Sequence, residues 1–245
     1  MTFDTLAIVG AAYFLAAFSK GVTGIGFSTS CLPILALAIG LKETLPLLLI
    51  PSVASNIIVM TEAGHFRESV RRFWPLLVAA IPGVALGLAL LTWLDQGRAG
   101  GILGIVLAGY ALFAYRTPDL QLPVRLERPL APVTGFLTGT INGLTGSQVM
   151  PVLPYMLALR MTPDRFVQAI NCAFTFCSLL MAVGLVGIGL MTSEAAMTSV
   201  LGLVPVFVGV RLGGRVRRRL SPELFRTLVL AMLAAGGIAL IVRSF

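Results

Sequence analysis

Two short stretches rich in glycine and hydroxyl groups interrupt an otherwise apolar chain. The first runs from Lys20 to Pro33 and the second from Asn142 to Pro154. A helix that breaks inside a membrane leaves N–H groups unpaired at the start of the next half-helix, where the helix dipole also favours an anion. Glycines let the backbone approach a ligand, and hydroxyl and amide groups donate hydrogen bonds without adding a charge. The two stretches therefore predict an anion-binding site.

The candidate site residues are those that offer a backbone N–H, a hydroxyl, an amide or an ammonium group at these breaks. The candidate substrate-binding residues are Lys20, Gly21, Thr23, Gly24, Gly26, Ser28, Ser30, Asn142, Gly143, Thr145, Gly146, Ser147 and Gln148, and the candidate pore residues are Asn56, Asn171 and Cys31. For the glycines and hydroxyls the alternative is close packing between helices. For Lys20 the alternative is an ammonium group that extends to the membrane interface, and for the asparagines it is a bond to a neighbouring helix.

The two breaks occupy matching places in two halves of the chain. The segment Gly-Val-Thr-Gly at 21–24 pairs with Gly-Leu-Thr-Gly at 143–146 at an offset of 122 residues, and Pro33 pairs with Pro154 at an offset of 121. Paired glycine interruptions in corresponding positions of two halves indicate the binding site of a secondary transporter. The spacing therefore predicts one shared site, built where the two breaks meet.

Composition places the chain among polytopic membrane proteins. It is 57% hydrophobic and 11% charged, with a mean hydropathy of +0.96. Long apolar runs such as Ala99–Tyr115 lack the alternation of barrel strands and must satisfy their own backbone hydrogen bonds, which predicts an all-α fold. The basic residues lie in short loops without a nucleic-acid motif, so no nucleic-acid partner is expected. The three cysteines have no metal-ligand spacing, and neither a metal nor another cofactor is predicted.

The segments that flank each break are short for a bilayer. They cover Leu6–Phe18 and Phe27–Gly40 in the first half, and Leu130–Ile141 and Val149–Leu159 in the second. At about 1.5 Å per residue, each falls short of the roughly 30 Å hydrocarbon core. We therefore expect each break to join two half-helices as a hairpin, followed by three transmembrane helices in each half.

The distribution of basic residues predicts an inverted repeat. Loops rich in Lys and Arg stay in the cytoplasm, which places segments 62–72 and 212–222 inside and the turns at 93–98 and 190–195 outside. Corresponding loops of the two halves thus lie on opposite sides of the membrane. The predicted organisation is one transmembrane domain, with a first repeat at 1–115, a cytoplasmic linker at 116–129 and a second repeat at 130–245. Both termini are then predicted to be periplasmic.

These features together resemble the TauE/SafE family of sulfite exporters. The resemblance rests on the duplicated glycine break followed by a proline, and on Pro82 and Pro205, each followed by a glycine four or five residues later. It implies about eight transmembrane helices in up to ten helical segments, and a bacterial inner-membrane transporter in sulfur metabolism. The implied substrate is a small sulfur-containing or organic anion, such as sulfite, sulfoacetate, a sulfonate or thiosulfate.

Several functional alternatives stay open on the sequence alone. Every Asp and Glu falls at a segment end or in a loop, which argues against coupling through a carboxylate in the membrane and favours export driven by the membrane potential. An intramembrane enzyme would need a nucleophile and base or metal ligands at depth, and the one histidine, His65, lies in a loop. The remaining alternatives are an anion channel, an importer of thiosulfate-like anions and a non-transporting membrane subunit. Besides the lipid bilayer and the anion, a second copy of the chain is a further candidate partner.

Overall fold

The computed structural model describes residues 3–23, 26–116, 121–217 and 222–244. Within these ranges the chain folds into eleven helices and no strand. In chain order the helices are α1 (Phe3–Thr23), α2 (Phe27–Ile39), α3 (Leu41–Ala63), α4 (Phe66–Trp93), α5 (Gln96–Arg116), α6 (Val124–Thr145), α7 (Val152–Ala158), α8 (Pro163–Gly187), α9 (Ser193–Leu201), α10 (Leu203–Arg217) and α11 (Pro222–Ser244).

The protein is an all-α polytopic membrane protein. Six helical segments in the described ranges are long and apolar enough to cross a bilayer, among them Leu41–Ala63 and Ser193–Val216, the second formed by α9 and α10 together. Large apolar side chains are exposed on the outer surface, for example Val183 and Val204. In a soluble protein such a surface would be an aggregation liability, whereas here it is the surface that lipid covers.

The first helix of each predicted hairpin is longer than expected. Helix α1 has 21 residues and α6 has 22, so each is just over about 30 Å long. Helix α1 is also apolar enough to cross the membrane, whereas α6 is not among the six candidate spans. Only the second member is short, with 13 residues in α2 and 7 in α7. The prediction of two half-helices around each break is therefore wrong for α1 and α6 and correct only for the short length of α2 and α7.

Close helix packing explains why α1 and α6 continue to their breaks. A Cβ atom added to Gly21 would lie 2.3 Å from the carbonyl oxygen of Val210 in α10, and one added to Gly143 would lie 2.4 Å from that of Val84 in α4. These first glycines of the two repeated segments thus let neighbouring helices approach backbone to backbone. The chain leaves the helical conformation of α6 two residues after Gly143, at Gly146.

Two charged segments predicted as loops are partly helical. Helix α4 already begins at Phe66, inside the segment 62–72, and α6 begins at Val124, inside the segment 116–129. The charged N-terminal ends of the two helices also contact each other, through the ion pair between Arg72 of α4 and Glu127 of α6. The charges therefore extend these helices beyond the apolar core instead of ending them.

The packing of the helices repeats between the two halves. Helix α4 packs along α6, and α10 packs along α1 in the same way. Helix α3 contacts α8, and α5 contacts α11. In sequence order α1 corresponds to α6, α3 to α8, α4 to α9 and α10 together, and α5 to α11. The contact of α4 with α6 therefore has its counterpart in that of α10 with α1, and the other two contacts each join a pair of corresponding helices. The two breaks and the helices α3 and α8 are thereby brought to the centre of the molecule.

Candidate functional site

A large cleft enters the protein between the ends of four helices. It has a volume of about 1360 Å³ and is lined by α1, α3, α8 and α10. Its floor is formed by Lys20 and Gly21 near the end of α1. Glu62, Asp164 and Arg211 lie toward the mouth and are exposed. A solute of small-molecule size therefore has a path from one surface of the protein to the first glycine break.

Lys20 is the buried charge of this cleft. Its side chain is 1% exposed, and its ammonium group donates hydrogen bonds to Asn56 Oδ1 of α3 and to Asn171 Oδ1 of α8, the latter at 3.1 Å. A cation in apolar surroundings needs such polar partners, because its desolvation is otherwise costly. Lys20 thus does not extend to the interface, and the two candidate pore asparagines hold it in place.

The asparagine amides are oriented by their own neighbours. Asn171 Nδ2 donates at 2.8 Å to the carbonyl oxygen of Val167, one turn earlier in α8. This bond points the Asn171 amide oxygen toward Lys20. Asn56 is 1% exposed, and its Nδ2 group has no hydrogen-bond partner among the described residues. Of this cluster only Lys20 is among the described residues that line the cleft, and its ammonium group is suited to the oxygen atoms of an anion.

Lys20 has no carboxylate partner among the described residues. Among the described residues, no Asp or Glu oxygen lies within 4.0 Å of its ammonium nitrogen. The carboxylates among the described lining residues of the cleft belong to Glu62 and Asp164, at the exposed ends of α3 and α8. A buried ammonium group held only by neutral amides is electrostatically suited to an anionic ligand.

A second, much smaller cavity lies between the two breaks. Its volume is about 10 Å³, close to the space of one water molecule. Its polar lining comes from the two break stretches and from the helices α3 and α8. The residues are Ser28, Ser52, Asn142, Gly146, Gln148 and Ser178. Residues of the first and second breaks therefore meet at one polar position inside the protein.

Hydrogen bonds fix the polar side chains of this small cavity. Ser28 Oγ donates to Ser52 Oγ at 2.9 Å, and Gln148 Nε2 donates to Ser178 Oγ at 2.8 Å. Asn142 Nδ2 donates at 3.3 Å to the backbone oxygen of Cys177, and its own Oδ1 has no partner in the described part of the chain. Each break is thus tied to one of the two central helices, α3 or α8.

The backbone at the breaks has the left-handed conformation that favours glycine. Gly26 precedes α2 with φ 97°, and Gly146 ends α6 with φ 75°. Thr145 stabilises the second break, because its hydroxyl donates to the Ile141 carbonyl and accepts from the N–H of Ser147. Its hydroxyl is therefore engaged with local backbone. Ser147 Oγ is buried and has no partner among the described residues.

The remaining candidates lie apart from the two cavities. Ser30 is buried, and its Oγ lies 3.3 Å from that of Ser19 in α1. Cys31 in α2 is fully buried within the main apolar core and is not among the described residues that line either cavity; its role as a pore residue stays a prediction. Gly24 and the side chain of Thr23 lie outside the described residues.

Two site residues were missed by the sequence analysis, Ser52 and Ser178. Ser52 lies one turn before Asn56 in α3, and Ser178 lies two turns after Asn171 in α8, so both share a helix face with an asparagine that bonds Lys20. Ser178 also corresponds to Asn56 at the repeat offset of 122, as Asn142 corresponds to Lys20. The sequence could have indicated these two serines, because polar residues recur there at helical spacing and, for Ser178, at the repeat offset.

Comparisons with known proteins bear on the whole chain. Residues 9–240 match the protein-family model described as Sulfite exporter TauE/SafE. The match includes both breaks, the Lys20 cluster and both cavities. Comparisons with curated proteins and with solved structures gave no match.

Proposed function

This chain belongs to the TauE/SafE family of sulfite exporters, and from that premise we propose that it exports a small sulfur-containing or organic anion across the bacterial inner membrane. The family is one of membrane transporters rather than enzymes. The anions in question are of the sulfite, sulfoacetate, sulfonate or thiosulfate class. The observation that carries the proposal is the buried ammonium group of Lys20 at the floor of a large cleft, held by two amides and, in the part of the chain that the structure describes, by no carboxylate.

The side from which the anion enters follows from the charges near the cleft mouth. The mouth is formed by the ends of α3, α8 and α10. Arg165 lies in the first turn of α8, Arg215 in the last turn of α10, and Arg67 at the start of α4, which follows α3. Loops rich in arginine stay in the cytoplasm, so the cleft is expected to face the cytoplasm and both chain termini the periplasm. In this arrangement the structure corresponds to an inward-facing state.

The path beyond Lys20 leads to the small cavity between the breaks. In the inward-facing state this cavity is about 10 Å³, which is too small for a sulfur oxyanion and therefore closes the path. If each half adopted the helix packing that the other half has in this state, the cleft would close and a path would open on the opposite side, as in other transporters with inverted repeats. The breaks then act as the elements around which the halves move.

The membrane potential is sufficient to drive export. An anion leaving a negatively charged cytoplasm gains about 2.3 kcal/mol per charge for each 100 mV. Within the described residues the site contains no buried carboxylate that would carry a coupling proton. We therefore expect transport to follow the potential without a requirement for a proton gradient.

The test is flux through the purified full-length protein in liposomes. Labelled sulfite, sulfoacetate, thiosulfate and chloride are supplied, first with an imposed membrane potential and then with an imposed pH gradient. Saturable flux of a sulfur anion that follows the potential would support the proposal. Absence of flux for every sulfur anion, in protein with a cooperative unfolding transition, would contradict it.

A further inference from the structure

The charges around the cleft bear on the charge of its ligand, an inference that rests on the proposed function. Among the described residues, five ionisable side chains line the cleft: Lys20 at the floor, and Glu62, Asp164, Arg211 and Arg215 toward the mouth. The two carboxylates offset the two guanidinium groups. The ammonium group of Lys20 therefore remains as the net charge of the lining, and it is the one charge of the five that is buried.

The mouth charges are too distant to neutralise Lys20. Glu62 follows Asn56 by six residues in α3, and Asp164 precedes Asn171 by seven in α8, so each lies roughly 9–10 Å further along its helix than the asparagine that contacts Lys20. All four mouth charges are exposed, and solvent screens exposed charges at such separations. The buried ammonium group is thus compensated by amide dipoles alone.

We propose that this cleft selects singly charged oxyanions, such as a sulfonate or hydrogensulfite, over doubly charged ones. One negative charge beside Lys20, which lines the cleft, completes a neutral buried pair. A dianion would leave one negative charge buried without a partner, and an unpaired buried charge is strongly unfavourable. The selection comes from the count of buried charges and does not depend on the size of the ligand.

Two sulfonates of similar size provide the direct test. 2-Hydroxyethanesulfonate bears one negative charge at neutral pH and sulfoacetate bears two. Binding of each is measured with the full-length protein in lipid nanodiscs, and flux of each in liposomes. We expect 2-hydroxyethanesulfonate to bind at least about tenfold more tightly, because an unpaired buried charge costs several kcal/mol.

The outcomes separate this inference from the proposed function. Equal or tighter binding of sulfoacetate, with flux of either compound, would overturn charge selection and leave anion transport standing. Absence of binding and flux for both compounds and for sulfite, in folded protein, would overturn the proposed function and the inference with it.

A substitution beside Lys20 tests the same idea from the side of the protein. Asn56→Asp places a carboxylate next to the ammonium group and should weaken 2-hydroxyethanesulfonate binding at least about tenfold, since the buried pair is then complete without ligand. Thr61→Asp is the matched control. It adds the same charge to the same helix, at an exposed residue that does not line the cleft, and should bind as the wild type does.

A variant that fails to fold does not end the test. Asn171→Asp places the carboxylate on the opposite side of Lys20, on α8 instead of α3, and carries the same expectation. Unchanged affinity for 2-hydroxyethanesulfonate in whichever of the two variants unfolds cooperatively would overturn the inference.

Discussion

The ammonium nitrogen of Lys20 lies 3.1 Å from the amide oxygen of Asn171, and this bond joins the two halves of the protein at the floor of the cleft. Lys20 belongs to α1 and Asn171 to α8, 151 residues apart in the chain. Asn56 of α3 accepts a second bond from the same ammonium group. A movement of the halves that altered this contact would change the surroundings of the one buried cation of the site.

The bond between Lys20 and Asn171 should raise the free energy of unfolding. Asn171→Ala removes an acceptor from a buried ammonium group, and a hydrogen bond to a charged group contributes about 1.5–3 kcal/mol. In a double-mutant cycle with Lys20→Met, measured as the free energy of unfolding in detergent, we expect a coupling of about 1–3 kcal/mol. Strictly additive effects would show that the contact contributes nothing to stability.

The paired glycines at the helix crossings should be required for stability. Gly21→Ala and Gly143→Ala place a methyl group within 2.5 Å of a carbonyl oxygen of the facing helix, and overpacking of this kind costs about 1–3 kcal/mol. Thermal unfolding of each variant is compared with that of Gly109→Ala. At Gly109 an added Cβ meets nothing within 4 Å, and alanine is the better helix former.

This prediction changes what is expected of the break glycines. On the sequence alone they had two interpretations, approach of the backbone to a ligand and close packing between helices. If Gly21→Ala and Gly143→Ala unfolded at the temperature of the Gly109→Ala protein, the close approach of α1 to α10 and of α4 to α6 would not be supported.

The cleft should be accessible to water from the cytoplasmic side. A cysteine at Val59, which lines the cleft, should react in cells with a membrane-impermeant thiol reagent only after the cytoplasmic face is exposed. Thr92 is exposed near the C-terminal end of α4, away from the cleft mouth, and a Thr92→Cys protein should react from the periplasmic face. The three native cysteines are buried and provide a low background. Labelling of the Val59→Cys protein in intact cells would contradict the proposed orientation.

The helical class of the protein was predictable because it depends on composition and local pattern. An apolar run in a bilayer must satisfy its own backbone hydrogen bonds, and this holds whatever the run packs against. The positions of the breaks were also predictable, since glycine and threonine recur at the same offset in both halves. The lengths of α1 and α6 were not, because a glycine such as Gly143 can end a helix or support close packing, and the neighbouring helix decides between them.

The composition of the site was predictable only in part. Lys20, Asn56 and Asn171 were each recognisable as polar groups in apolar segments, and each had an alternative function. Their assembly into one cluster depends on how α1, α3 and α8 cross, and no local pattern records that crossing. Ser52 lies at helical spacing from Asn56, yet serine is common in membrane helices for packing alone. Such a residue becomes a site candidate only when its cavity is known.

The most direct test of the account is potential-driven uptake of labelled sulfite into liposomes that contain the wild-type protein, Lys20→Ala or Lys20→Arg. The control is Lys42→Ala, whose lysine bonds the Leu94 carbonyl far from the cleft. We expect Lys20→Ala to lower flux at least about tenfold through loss of the charged hydrogen-bond donor, Lys20→Arg to retain part of it, and Lys42→Ala to match the wild type. Unchanged flux in a folded Lys20→Ala protein would contradict the central claim that this buried ammonium group binds the transported anion.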